Sequence, residues 1–335
     1  MKKIITVIIC VLVAAGVFAA CAVNKDNNNT STDVRPASGA EKLKIVTTIF
    51  PEYDWVRQIL GKRIDNAEIT LLLDSGVDLH SYQPTVDDIV KISNCDLFIY
   101  VGGESDEWVE DALAQANNKD MLTVNLLESL GSSIKEEEVK EGMQIEEEDD
   151  EVEEEEVEYD EHVWLSLKNA AALCKIICEK ISLIDKDNAE IYKVNTEAYI
   201  SKLNDLDGQF RATVDSAKVK TLVFGDRFPF RYLTDDYGLD YYAAFIGCSA
   251  ESEASFETIV FLAKKLDELG LKSIMQIESA DGSIAGAIKD ASQTKDQTVL
   301  TLDSMQSTLS KDIDGGVTYL SIMESNLQVL KEALK

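Results

Sequence analysis

The chain has 335 residues and only two histidines, and both stand where an imidazole could take a metal ion. His80 lies in Asp74-Ser75-Gly76-Val77-Asp78-Leu79-His80-Ser81-Tyr82-Gln83-Pro84, directly after the apolar run Ile69 to Leu73. A loop in that place can aim a side chain into a cleft. His162 lies in Asp160-Glu161-His162-Val163-Trp164-Leu165, where a carboxylate-rich stretch turns apolar. Imidazole suits zinc, copper, iron and nickel, and nearby carboxylates would complete a mixed nitrogen and oxygen shell. Position alone leaves two readings open, a shared metal site or a surface or capping histidine at each place.

The elements that must position these residues follow from apolar periodicity. Lys44 to Phe50 reads as a buried strand, and Pro51 then opens a helix carrying Trp55, Val56 and Ile59. Further strands are expected at Ile69–Leu73, Leu97–Val101 and Leu122–Val124, with helices at Val86–Ser93 and Trp108–Ala116 between them. A second set follows, with strands near 222–224, 241–245, 273–277 and 298–302 separated by helices. Strands alternating with helices predict an α/β fold of two similar lobes, each a mostly parallel sheet flanked by helices. The stretch 187–217 has no proline and one glycine, and it reads as a single spine helix joining lobes 42–186 and 218–335. Ligands of such sheets bind at the carboxyl ends of strands.

The formal charge of −30 argues against nucleic acid or anionic lipid as the main partner and favours cations. Much of that excess lies in an insertion at 135–161, a like-charged run expected to be disordered. It would either concentrate divalent cations or serve only as a solvated filler. Residues 1–20 read as an export signal: Lys2-Lys3, an apolar run from Ile4 to Val17, then Ala19-Ala20 before Cys21. Ala-Ala-Cys resembles a lipobox, with Phe18 where leucine is usual, so Cys21 is the expected lipidation site. An uncleaved anchor and a plain secretory signal are the other readings. The polar stretch 21–41 is expected to be a tether. Cys174 and Cys178, four apart on one helix face, read first as core residues, with a thiol metal site or a disulfide as the other readings, and Cys95 and Cys248 look equally bland.

Leu79-His80-Ser81-Tyr82-Gln83-Pro84 resembles a Pro-His-x-Tyr-x-Pro motif, and Asp160-Glu161-His162-Val163-Trp164-Leu165 resembles Asp-Pro-His-x-Trp-Leu. Tyr319 to Met323 with Asn326 resembles the C-terminal helix of the same family. That family is the zinc/manganese solute-binding proteins of ABC importers, also called cluster A-I or cluster 9, and the resemblance runs from about Leu43 to the C-terminus. It implies a monomeric, extracytoplasmic protein that binds a divalent metal and docks on an ABC permease. It also implies four protein ligands, a pair from each lobe, with the first two at His80 and His162. The fourth, an acid after a late strand, maps onto Asp303. The third, His or Glu, falls on Arg227 when counted back from Tyr232 and Tyr237-Gly238-Leu239, and arginine cannot ligate. Asp226 is the expected replacement, with Arg227 pairing an acid or blocking a position. Glu278 is a reserve candidate.

Two imidazoles and the acidic insertion lean toward zinc, while Asp226 and Asp303 would add oxygen character that manganese accepts. An enzyme would need more than this. The sequence has no His-Glu-x-x-His, no nucleophile elbow and no phosphate loop, and a metal site would leave no histidine for acid/base work. A surface adhesin is a further reading, though no segment suggests an adhesive surface.

Overall fold

A computed structural model describes residues 42–144, 158–249 and 253–335. The expected signal (1–20), tether (21–41), Cys21 and the centre of the acidic block lie outside the described residues. The first lobe runs β1 (Leu43–Thr47), α1 (Phe50–Leu60), β2 (Ala67–Leu71), α2 (Val86–Ser93), β3 (Leu97–Tyr100), α3 (Trp108–Ala114), β4 (Leu122–Asn125), α4 (Leu126–Leu130) and α5 (Leu167–Ile184). Helix α6 (Ala189–Ser216) leads into the second lobe: β5 (Thr221–Phe228), α7 (Arg231–Tyr237), β6 (Asp240–Ile246), α8 (Phe256–Leu269), β7 (Ser273–Gln276), α9 (Ser283–Ala291) and β8 (Thr298–Thr301). Two helices close the chain, α10 (Ser310–Asp314) and α11 (Tyr319–Ala333).

Each lobe carries a four-stranded, all-parallel sheet, in the order β2-β1-β3-β4 in one and β6-β5-β7-β8 in the other. The shared order explains the likeness of the two halves in sequence pattern. Central strands such as β3 are covered on both faces, which is why Leu97-Phe98-Ile99 is continuously apolar and fully buried. Chain direction along the sheet reverses between β1 and β3, and again between β5 and β7. Those reversals open crevices at the carboxyl ends of the strands.

Helix α6 buries Tyr192, Thr196, Tyr199, Leu203, Leu206, Phe210 and Val214, a stripe at three- and four-residue spacing that sets one face against the rest of the molecule. Its 28 residues span about 42 Å at the usual helical rise. It packs on α1 and α5 of the first lobe and on α7 and α11 of the second. The lobes are also stitched directly. Trp164 Nε1 donates to Ser304 O (2.8 Å), Tyr319 Oη donates to Trp164 O (2.6 Å), and Tyr319 N donates to Asp54 Oδ2 (3.0 Å). One buried cluster runs through Trp55, Trp164, Phe210, Phe224 and Tyr319, so a wide hinge would have to break a continuous core.

The flanks of the acidic insertion differ from the disorder expected of 135–161. Glu136 bridges Tyr159, Glu137 N donates to Glu158 O (3.0 Å), and Asp160 N donates to Lys135 O (2.9 Å). Lys135 N donates to Tyr232 Oη (3.0 Å) and Gln144 N to Ala244 O (2.9 Å), which fixes this strap to the second lobe. The sequence conceals this because most of these bonds are made by backbone groups, within a run whose composition is that of a solvated segment.

Glu52 shows how the first lobe handles a buried acid. Its Oε2 accepts from Thr48 N (2.8 Å) and Ile49 N (3.3 Å) at the start of α1. Burial, then the charge of Asp106, raises its pKa from 4.5 to about 8. The folded chain therefore holds a proton here that the unfolded chain releases above its ordinary pKa. This contribution to stability is present at low pH and is lost as pH rises through about 8. Glu52→Gln is expected to flatten that part of the dependence, so thermal melts at pH 5.5 and 8.5 should differ less in the variant than in wild type. An equal difference in both would remove Glu52 as the cause.

Candidate metal centre

The loops after the strands carry the candidate side chains to one crevice. His80 follows β2 in a single helical turn capped by Asp78, whose Oδ1 accepts from His80 N (3.1 Å). His162 precedes the turn Val163–Leu165 that leads to α5, and Asp160 Oδ1 accepts from its backbone N (2.9 Å). The two imidazoles meet with Nε2 atoms 3.2 Å apart. Each Nδ1 is engaged on its far side, His80 with Ser105 Oγ (2.8 Å) and His162 with Asp160 Oδ1 (3.0 Å). Partners of this kind fix ring orientation and leave Nε2 for a metal.

The pair cannot readily carry two charges. Burial, the neighbouring His162 charge and Arg227 drive His80 down to about 3, against the pull of Asp78. Burial also opposes charge on His162, yet Asp160, Glu161 and Asp78 outweigh it and raise its pKa. At 3.2 Å a hydrogen bond between the rings needs one Nε2 to donate and the other to accept. Glu161 closes the rear of the pocket. Its Oε1 accepts from Ser105 N (2.9 Å), its Oε2 lies 3.5 Å from His80 Nδ1, and burial pushes its pKa up to about 7. Gly103, at φ 81°, must be glycine, because a Cβ there would collide with the Glu161 carboxylate.

A thiol lies beside the two imidazoles. Among the described residues, the metal-binding atoms of His80, His162 and Cys248 all lie within 4.8 Å of one another. Cys248 follows β6 and is a free thiol, and its pKa is pushed well above the ordinary value by burial and by Glu137, Glu161 and Asp160. Cys248 is only partly buried and stands beside the histidines, which departs from the plain core reading. Cys95, Cys174 and Cys178 do fit that description, all three being buried.

The two carboxylates expected as ligands stand outside this group. Asp226 lies beside a register shift in β5, and its oxygens accept from Arg227 N (2.8 Å) and Ile277 N (3.2 Å). It ties β5 to the end of β7, and burial raises its pKa. Asp303 follows β8. One oxygen accepts from Met305 N (2.8 Å), and burial, then Glu278, then Asp312 raise its pKa to about 7. Asn326 of α11 clamps the Asp303 backbone by accepting from N (2.9 Å) and donating to O (2.8 Å). Met305 takes a left-handed φ of 62°, a conformation costly for a side chain of this kind and sustained only by its surroundings.

Glu278, the reserve candidate, is spent on that loop. Its carboxylate accepts from Ser304 N (2.7 Å), Gln306 N (3.1 Å) and the Ser304 and Ser307 hydroxyls (3.0 and 3.2 Å). Gln306 in turn reaches the site. With its amide nitrogen donating to Asp78 Oδ2 (2.8 Å), its oxygen lies 2.5 Å from His162 Nε2. Arg227 donates to Asp78 Oδ2 (2.8 Å) and to Ser249 O (3.3 Å), so it does pair an acid, as expected. Sequence reasoning missed Gln306, whose contacts with Asp78 and His162 form only where loops meet across the lobes, and the link from Arg227 to Ser249, which joins the ends of the neighbouring strands β5 and β6.

Two parallel α/β lobes on a helical spine, with a histidine and thiol cluster between them, define the class of two-lobed binding proteins with an inter-lobe site. Residues 45–333 match the family described as zinc-uptake complex component A, periplasmic (ZnuA), and the chain belongs to it. It is 32% identical over 308 residues to the high-affinity zinc uptake system protein ZnuA of Bacillus subtilis, covering 91% of this chain and 92% of that protein. It is 31% identical to the zinc-binding lipoprotein AdcA of Streptococcus pneumoniae over 87% of this chain, which spans about half (56%) of that longer relative. Among solved structures, the Zn(II)-bound ZnuA-like domain of S. pneumoniae AdcA superposes with a TM-score of 0.68 at 29% identity, over 88% of this chain and 99% of that one. The metal-dependent lipoprotein YcdH of B. subtilis gives 0.70 at 30% identity, with the same coverage.

Proposed function

We propose that the protein captures a divalent transition metal, zinc before manganese, outside the cytoplasm and delivers it to an ABC importer without chemical change. The observation that carries this reading is the opposed imidazole pair, with Nε2 atoms 3.2 Å apart and both Nδ1 atoms held. Tetrahedral zinc with Zn–N bonds near 2.0–2.1 Å sets two nitrogens about 3.3 Å apart, so a metal can enter with little rearrangement. The names of the relatives, zinc uptake and zinc-binding proteins, support the same cargo. Asp303 is the proposed oxygen donor from the second lobe, through the carboxylate oxygen that Met305 N does not occupy. The stitched core supports local loop movement around the metal over a wide hinge.

Competitive titration of the purified chain with zinc and manganese tests the reading, and tighter zinc binding is expected. Asp226 would have to release the Arg227 and Ile277 amides to reach an ion. Asp226→Ala in the same titration decides its part: a loss of ten-fold or more in affinity keeps it as a ligand, and unchanged affinity removes it from the shell. Absence of hydrolytic activity in the metal-loaded chain is expected, because both histidines are committed to the ion. Lipidation at Cys21, a monomeric state and docking on a permease complete the proposal. They follow from the Ala-Ala-Cys sequence and from the family.

The acidic block is proposed to speed capture, since a dense run of carboxylates raises the local concentration of cations. Because 135–144 and 158–161 are packed against the second lobe, the informative deletion is 145–157. The deletion is expected to slow zinc association at low ionic strength, with a smaller effect at high salt where the field is screened. An association rate unchanged at low salt would leave the block as solvated filler.

A further inference from the structure

We propose that Cys248 is a ligand of the ion, a thiolate from the second lobe that takes the place Arg227 cannot fill, so that two imidazole nitrogens and one sulfur hold the metal and an oxygen completes the set. The proposal deepens the metal-binding reading and rests on it. Three independent features of the chain converge on it. The first is position: the Cys248 sulfur and both imidazoles lie within one 4.8 Å group. Tetrahedral zinc with Zn–N near 2.1 Å and Zn–S near 2.3 Å needs nitrogen and sulfur about 3.6 Å apart, an inward movement on the order of 1 Å.

The second is Gly247. A Cβ there would stand 2.9 Å from His162 Cε1 and 3.0 Å from Phe228 O, so only glycine lets the loop after β6 lie flat against the imidazole. That approach delivers the next residue, Cys248, to the histidines. The third is Arg227. Its guanidinium spans Asp78, which caps the His80 turn, and Ser249 O, which adjoins Cys248. The residue at the expected ligand position thus ties together the two loops that carry His80 and Cys248. Glu137 fixes the same loop from the acidic strap, accepting from Cys248 N (3.3 Å). On binding, the thiol proton leaves to solvent and the thiolate bonds the metal. A soft sulfur donor favours zinc over manganese, which links Cys248 to the selectivity of the site.

Cobalt titration of the purified chain is the test, read by absorption. Wild type is expected to show a sulfur-to-cobalt charge-transfer band in the near ultraviolet together with tetrahedral visible bands. Cys248→Ser is expected to keep the visible bands, lose the charge-transfer band and narrow the zinc-over-manganese preference at least ten-fold. X-ray absorption of the zinc-loaded wild type, which does not depend on the variant folding, is expected to show one sulfur at about 2.3 Å. Metal binding with a purely nitrogen and oxygen shell overturns Cys248 ligation and leaves the metal site standing. Failure of wild type to bind zinc or cobalt overturns both.

Discussion

His162→Ala is expected to reduce zinc affinity by more than 100-fold and to abolish the rise in melting temperature that zinc gives the wild type. Three observations make this the most sensitive position. His162 is fully buried, its Nε2 faces His80 at 3.2 Å, and its orientation is set by two contacts to a single carboxylate oxygen of Asp160. Loss of an outer partner typically costs roughly 10–100-fold in metal affinity, so Asp160→Ala should fall in that range and the ligand itself should cost more. Ligand present at a thousand times its Kd stabilises a fold by about 4 kcal/mol, so the melting shift is a second readout independent of the binding isotherm. A His162→Ala chain that melts higher with zinc and binds it within ten-fold of wild type would remove the imidazole pair from the site.

The relation between sequence and site explains why His162 was legible and Cys248 was not. His80 and His162 each sit in a local phrase, a strand end or a switch from carboxylates to apolar residues, and the phrase can be read without knowing the fold. The two βα series were legible for the same reason, since strands such as Leu97-Phe98-Ile99 announce burial through composition alone. Cys248 becomes a candidate only when β6 is placed at the edge of its sheet and its following loop is laid against His162. One signal did exist: Gly247-Cys248 directly after a strand, in a chain whose expected third ligand had become Arg227. The carboxylates Asp226 and Glu278 show the opposite case. Both lie where sheet geometry puts ligands, but their oxygens are taken by backbone amides and hydroxyls that the sequence does not reveal.

That hidden role makes Glu278 the second site of large effect. Its carboxylate gathers the backbone amides of Ser304 and Gln306 and the hydroxyls of Ser304 and Ser307, and so holds the loop in which Met305 keeps its left-handed φ. The same loop carries Asp303, the proposed oxygen donor, and Gln306, which reaches Asp78 and His162, and its Ser304 O accepts from Trp164 at the junction of the lobes. Hydrogen bonds to a charged group are worth about 1.5–3 kcal/mol each but do not add, because neighbours in a network relax together. Glu278→Ala is therefore expected to cost about 3 kcal/mol of stability, roughly 5 °C in melting temperature for a chain of this size. Glu278→Gln keeps one acceptor oxygen and should recover part of that loss. Both variants should also weaken zinc binding, although Glu278 does not touch the metal, because Asp303 and Gln306 lose their support. A drop in stability with zinc affinity intact would show that the loop can shift without disturbing the ion, and would place the oxygen donor elsewhere in the cleft.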